Sequence, residues 1–246
     1  RYDPDTDSWT GMAPMPTGRR MPVTGVVDGK CNVIGGRIDD SGSPLDNVEA
    51  YDPATNSWTT HAPMPTARYA HAAAVVDGII YVIGGTDGGR VFQLVEAFNP
   101  ATGSWSTRNP MPTARALHGA AAANGKIYVM GGGVDDMNIY ASMEIYDPLS
   151  NSWSAGPDMP LGKFSLSAAT LDKRIYAIGG ADRFFRSLEH VAAFDLDSGT
   201  WTEVASLNTR RVRFASAVAD DQIYAIGGSV TFGGIKHVGM ELVERY

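Results

Sequence analysis

The chain has 246 residues, 43% hydrophobic and 19% charged, with 28 glycines and a formal net charge of −7. This suits a folded, turn-rich protein, and with basic residues only single or paired it argues against phosphate-backbone binding as the main activity. Cys31 is the only cysteine, which excludes an intramolecular disulfide and a CxxC metal site, and no apolar run reaches the roughly 20 residues of a membrane helix.

The N-terminus opens on Tyr2-Asp3-Pro4, followed by Trp9. An aromatic then Asp-Pro reads as the end of a strand and a tight turn, because Asp bonds back to the backbone and Pro presets φ. The same marker returns at Tyr51-Asp52, Phe98-Asn99, Tyr146-Asp147 and Phe194-Asp195, and tryptophan at 58, 105, 153 and 201. The tryptophans are 49, 47, 48 and 48 residues apart, and Gly-Gly pairs beginning at 35, 84, 131, 179 and 227 keep the same spacings. Two markers in step make residues 1–246 one repeat domain of the propeller or solenoid kind.

Residues 69–110 give one repeat in full. Tyr69 to Val76 is a small-residue strand ending in Asp77-Gly78, a two-residue hairpin turn. Equivalent turns are Asp28-Gly29, Asn124-Gly125, Asp172-Lys173 and Asp220-Asp221, the last two less comfortable without glycine. Ile79 to Ile83 is a short apolar run closed by Gly84-Gly85, as for a strand buried on both faces. A variable segment follows, then a third strand ending at Phe98-Asn99, then a fourth opened by Trp105, whose indole is expected to pack between sheets. The small residues of the first strand mark it as innermost, where radiating sheets converge.

Gly-Gly, then aromatic-Asp-Pro, then Trp about six residues on, is a pattern that resembles the kelch repeat, and the resemblance spans the chain. It implies an all-β, kelch-type β-propeller with one four-stranded antiparallel blade (a-b-c-d) per repeat. The chain order suggests five blades, the last closed by the N-terminal strand d, which removes open edges. Kelch propellers more often have six or seven blades, and the rival reading is an excerpt from a longer array.

The a-b and c-d turns are tight and alike, whereas the b-c loops differ in length, charge and aromaticity, so specificity is expected on the face shared by the b-c loops and d-a connections. The residues singled out there for partner binding are Arg37, Tyr69, Asp87, Arg90, Asp135, Asp136, Tyr140, Arg183, Phe184, Phe185, Arg186 and Arg213. Phe184 and Phe185 between two arginines are of the types enriched at binding hot spots, although one ring could instead tuck inward as an anchor. Arg213 stands where kelch adaptors of the ubiquitin-ligase type, which the chain resembles, carry partner-contacting arginines. Basic residues recur at Arg19, Arg68, Arg115, Lys163 and Arg211, read either as a channel lining or, preferred, as donors to neighbouring carbonyls. Glu49, Glu96, Glu144 and Glu244 precede the strand c aromatic, where Ala192 departs from the pattern.

The expected function is binding of a protein or peptide by a monomer, with no nucleic acid, membrane, cofactor, metal or catalytic residue assigned. His71 and His118 have no nearby nucleophile, and Cys31 reads as a small core hydrophobe. The alternatives are a carbohydrate-binding or mutarotase-like propeller, in which acidic residues and Tyr140, Phe184 or Phe185 would form the sugar platform, and a non-catalytic domain of a larger enzyme.

Overall fold

A computed structural model describes residues 1–39, 42–135, 138–232 and 236–246. It is all-β, with no helix among the described residues, and its strands form five antiparallel blades around a channel. After an N-terminal hairpin, β1 (Tyr2–Asp3) and β2 (Ser8–Trp9), blade 1 runs β3 (Val23–Val27), β4 (Lys30–Ile34), β5 (Val48–Asp52) and β6 (Ser57–Thr60). Blade 2 comprises β7 (Ala72–Val76), β8 (Ile79–Ile83), β9 (Val95–Asn99) and β10 (Ser104–Arg108), and blade 3 β11 (Gly119–Ala123), β12 (Lys126–Met130), β13 (Met143–Asp147) and β14 (Ser152–Ala155). Blade 4 has β15 (Ser167–Leu171), β16 (Arg174–Ile178), β17 (Val191–Asp195) and β18 (Thr200–Glu203). Blade 5 has β19 (Ala215–Ala219), β20 (Gln222–Ile226) and β23 (Val243–Arg245), while β21 (Ser229–Phe232) and β22 (Lys236–Gly239) pair as a hairpin within its long b-c loop.

Each a-b turn is tight, pairing Val76 with Ile79 in blade 2 and Ala123 with Lys126 in blade 3. Successive blades from 1 to 5 stack through a repeated interface. The odd positions of one innermost strand (Ala74, Val76) meet the even positions of the next (Ala120, Ala122), with Ile83 and Ile127 in the same cluster. A strand b tyrosine meets the strand c aromatic of the following blade, as Tyr81 meets Tyr146 at 5.8 Å and Tyr128 meets Phe194 at 6.0 Å. The second glycine of the first four pairs donates its N–H to the following d-a connection: Gly36 to Arg68, Gly85 to Arg115, Gly132 to Lys163 and Gly180 to Arg211. A Cβ on the first glycine would lie 2.7, 2.5, 2.5 and 2.9 Å from those carbonyl oxygens, so only glycine lets the blades approach this closely.

One expectation is corrected. N-terminal β2 does not add to blade 5; it pairs with its own strand c, Tyr2 opposite Trp9, so its bonding edge is already occupied, and β23 is the third bonded strand of blade 5. As expected, tryptophans pack between blades, Trp105, Trp153 and Trp201 against the cores shared by neighbouring blades, whereas Trp9 is 62% exposed. Their indoles also tie blades together, donating from Trp58 to Ala13, Trp105 to Ala62, Trp153 to Asn109 and Trp201 to Pro157 carbonyls at 3.0–3.1 Å.

Candidate functional site

Beneath the b-c/d-a face lies a layer of buried cations. Arg19, Arg68, Arg115, Lys163 and Arg211 have fully covered side chains and donate mainly to carbonyls. Arg68 reaches Val82 O at 3.1 Å, Arg115 reaches Gly131 O at 2.9 Å, and Arg211 reaches Ala225 O and Gly227 O at 3.1 Å. Each arginine also pairs with the glutamate of strand c: Arg19–Glu49, Arg68–Glu96, Arg115–Glu144 at 3.2 Å and Arg211–Glu244 at 2.8 Å. The carbonyl-satisfying reading therefore holds, and these residues are scaffold.

Blade 4 breaks this unit at three places together. Leu161, Lys163 and Ala192 stand where other copies have Thr, Arg and Glu, as in Thr113, Arg115 and Glu144, whose hydroxyl and carboxylate are bonded at 2.6 Å. Lys163 donates instead to Ala177 O at 2.9 Å and His190 O at 3.2 Å, and lies 3.4 Å from His190 Nδ1. Burial pushes its pKa down to about 7. His190 is itself pushed down, first by burial and then by the Lys163 charge, while Glu203, 3.4 Å from its Nε2, opposes the shift.

The channel mouth is a ring of five non-glycine residues with left-handed backbone: Met21, Ala70, Leu117, Ser165 and Arg213, with φ between 52° and 57°. Successive members are linked N–H to O, Ala70 to Met21, Leu117 to Ala70, Ser165 to Leu117 and Arg213 to Ser165. Such φ costs on the order of 1–2 kcal/mol per residue, which the ring bonds help to offset. These residues, with His71, His118, Leu166 and Phe214, line a cavity of about 310 Å³. His71 and His118 are pushed down to about 3, chiefly by burial and then by Arg68 and Arg115 respectively, so both imidazoles are neutral. Among the described residues no carboxylate lines this cavity.

A second cavity of about 260 Å³ opens beside it between loops two and three, lined by Arg90, Val91, Leu117, Asp135, Ile139 and Phe164 among others. Leu117 borders both cavities. Leu117, Ile139 and Phe164 floor this second cavity and belong to an apolar cluster that also holds Ala181, Val212 and Phe185.

The sequence-selected residues are disposed around this floor in different ways. Arg37 lies over the Tyr69 ring at 4.3 Å, joining loop one to the next d-a connection. Asp87 caps its own loop, accepting from the Gly89 and Arg90 N–H groups at 2.8 and 2.7 Å, while Arg90 lies over Phe92. Asp135 binds Asn138, and Tyr140 is held against the buried Arg115 at 5.1 Å; Asp136 lies outside the described residues. In loop four, Asp182 accepts from the N–H groups of Phe184 and Arg186 and pairs with the Arg186 guanidinium at 2.6 Å. That clamp leaves Phe184 58% exposed, flanked by Arg183 at 4.8 Å and Arg186 at 5.1 Å. Phe185, at φ 58°, turns inward and meets Phe164 edge-on at 5.4 Å, so it is the loop anchor. Arg213 belongs to the ring at the channel mouth.

Sequence reasoning missed Leu117, Ile139 and Phe164 as floor residues. Leu117 and Phe164 sit at or just before the ring position, a spacing common to all copies that could have found them. Cys31 is partly buried and its pKa is raised by burial, the opposite of thiol activation.

A family model described as the KLHDC2/KLHL20/DRC7 kelch-repeats domain matches residues 23–228. The solved structure of YjhT is similar in fold, with a TM-score of 0.81 at 19% identity, covering 97% of this chain and 87% of that one. No curated protein matches the chain.

Proposed function

This chain belongs to the kelch-repeat family, and we propose that it is a non-catalytic module that binds a protein or peptide partner on its b-c/d-a face. The observation that carries this reading is the pairing of an apolar floor with an exposed, rigidly held hot spot. Leu117, Ile139 and Phe164 form the floor, with Phe185 in the same cluster, and the Asp182 clamp presents Phe184 between two guanidinium groups beside it. Aromatic and arginine side chains with low conformational freedom give up little entropy on association. The described lining of the channel cavity, apolar side chains with two neutral imidazoles, Ser165 and Arg213, favours a peptide over acid–base chemistry on a sugar.

The test is selection of displayed peptides on the wild-type protein, followed by affinity measurement on Phe184→Ser and Arg183→Ser. A peptide family whose binding falls at least tenfold in both variants, with unchanged melting temperature, supports the face and its hot spot. Selected peptides that bind both variants equally well would move the site elsewhere, and selective retention of free or arrayed sugars in place of peptides would favour the carbohydrate reading.

A further inference from the structure

Four of the blade junctions are built alike, and the junction between blades 5 and 1 is not. The innermost strands touch in the pairs β3–β7, β7–β11, β11–β15 and β15–β19. On β19 the forward-facing positions Ala215, Ala217 and Ala219 are exposed, whereas their counterparts Ala72, Ala74 and Val76 on β7 are buried. On β3 the backward-facing Thr24 and Val26 are exposed, Val26 at 63%. The first glycine of the fifth pair shows the same gap. A Cβ on Gly227 would meet nothing nearer than Met240 O at 3.6 Å, where the four other copies are crowded by the carbonyl of the next d-a connection.

The outer part of this sector is occupied. Tyr2 of β1 meets Tyr224 of β20 at 6.3 Å, the contact that a strand c aromatic makes with the preceding strand b tyrosine at three of the four regular junctions, Asn32 replacing the tyrosine at the other. On the other side Trp58 of blade 1 donates to Ala13 O, just beyond β2. The N-terminal hairpin thus stands as strands c and d of a sector between blades 5 and 1, with no strand bonded to the inner edge of β1 among the described residues.

We propose that this sector is a seat for a β-hairpin of a-b kelch type, bonded to the inner edge of β1 and packed between the β19 and β3 faces. The four regular junctions define what fits. Its first strand must be of small residues, to lie between Ala215, Ala217 and Ala219 on one side and Thr24 and Val26 on the other. Its second strand must be apolar with a central tyrosine and a closing Gly-Gly, whose second N–H would reach the Arg19 carbonyl as Gly36 reaches that of Arg68. Main-chain pairing supplies affinity in such strand addition, and the side-chain pockets supply selectivity.

The probe is a fluorescein-labelled peptide with the sequence of residues 115–133, titrated into the whole chain and read by anisotropy, with a scrambled peptide as control. Saturable binding of the native-order peptide, a rise in melting temperature on binding, and at least a tenfold loss of affinity in Val26→Glu and Ala217→Glu are expected. Both substitutions are at exposed positions, so the melting temperature of the free protein should hold. Tyr2→Ala, which frees the outer hairpin from Tyr224, should also weaken binding. Equal binding of the scrambled peptide, no saturable binding, or full affinity in both glutamate variants would overturn the proposal. So would a dimer in sedimentation that dissociates in Val26→Glu, because a second copy would then fill the sector.

Discussion

Lys163 makes the stability of blade 4 depend on pH in a direction that can be worked out. Its ammonium is wholly buried, lacks the glutamate present in the other copies, and has a pKa lowered from 10.5 to about 7 by burial. Between those values the unfolded chain holds a proton that the folded protein does not, so stability rises with pH through this window and is lowest below it. A shift of that size corresponds to about 5 kcal/mol, a ceiling because the Ala177 and His190 carbonyls favour the charged form. The assay is urea unfolding of the wild type and Lys163→Met at unit steps from pH 6 to 10. The variant should be the more stable at pH 6, and the difference should shrink by up to about 1.4 kcal/mol per pH unit above pH 7. Replacing the whole unit (Leu161→Thr, Lys163→Arg, Ala192→Glu) should abolish that slope. A wild-type-to-variant difference that stays constant from pH 7 to 10 would refute the reasoning, showing that the carbonyl cage holds the proton.

His71 and His118 act in the acid range: with folded values near 3 against 6.5 when unfolded, both favour the native state above pH 6.5, and that stability is lost as pH falls towards 3. Thermal melts of His118→Gln against wild type should show a shallower acid decline. Phe184→Ser should leave the melting temperature within the effect of about 0.5 kcal/mol typical of surface changes, while Phe185→Ser, which removes the contact with Phe164, should cost on the order of 2 kcal/mol in chemical denaturation. At the last a-b turn Asp220 and Asp221 have φ of 49° and 56°, so Asp221→Gly should raise stability by up to about 1 kcal/mol, read from the denaturation midpoint.

The propeller was legible because each blade junction is made by residues that recur at fixed spacing. Gly84-Gly85 marks a carbonyl approach that excludes a Cβ, and Phe98 and Trp105 mark the outer pair. The loops were legible as places rather than as surfaces. Nothing in Phe184-Phe185 says which ring turns inward; that follows from the left-handed φ of Phe185 and from Phe164, two residues before Leu166 in another segment of the chain. The N-terminal hairpin was misassigned because spacing reports the order of strands but not which edge is already bonded, and Tyr2 opposite Trp9 settles that. Lys163 and Ala192 departed from their columns in plain view, yet their meaning depended on Arg115 touching Glu144, 29 residues away.

The ring of left-handed residues separates two jobs that most binding surfaces confound. Its left-handed backbone is shared by Met21, Ala70, Leu117, Ser165 and Arg213, and four N–H to O links join successive members, although the side chains are a thioether, a methyl, an isobutyl, a hydroxymethyl and a guanidinium. Each blade thus contributes one interchangeable group to a common orifice, set in place by main-chain geometry indifferent to what it carries. Selection can rewrite that orifice one letter at a time, from greasy to charged, without renegotiating the scaffold.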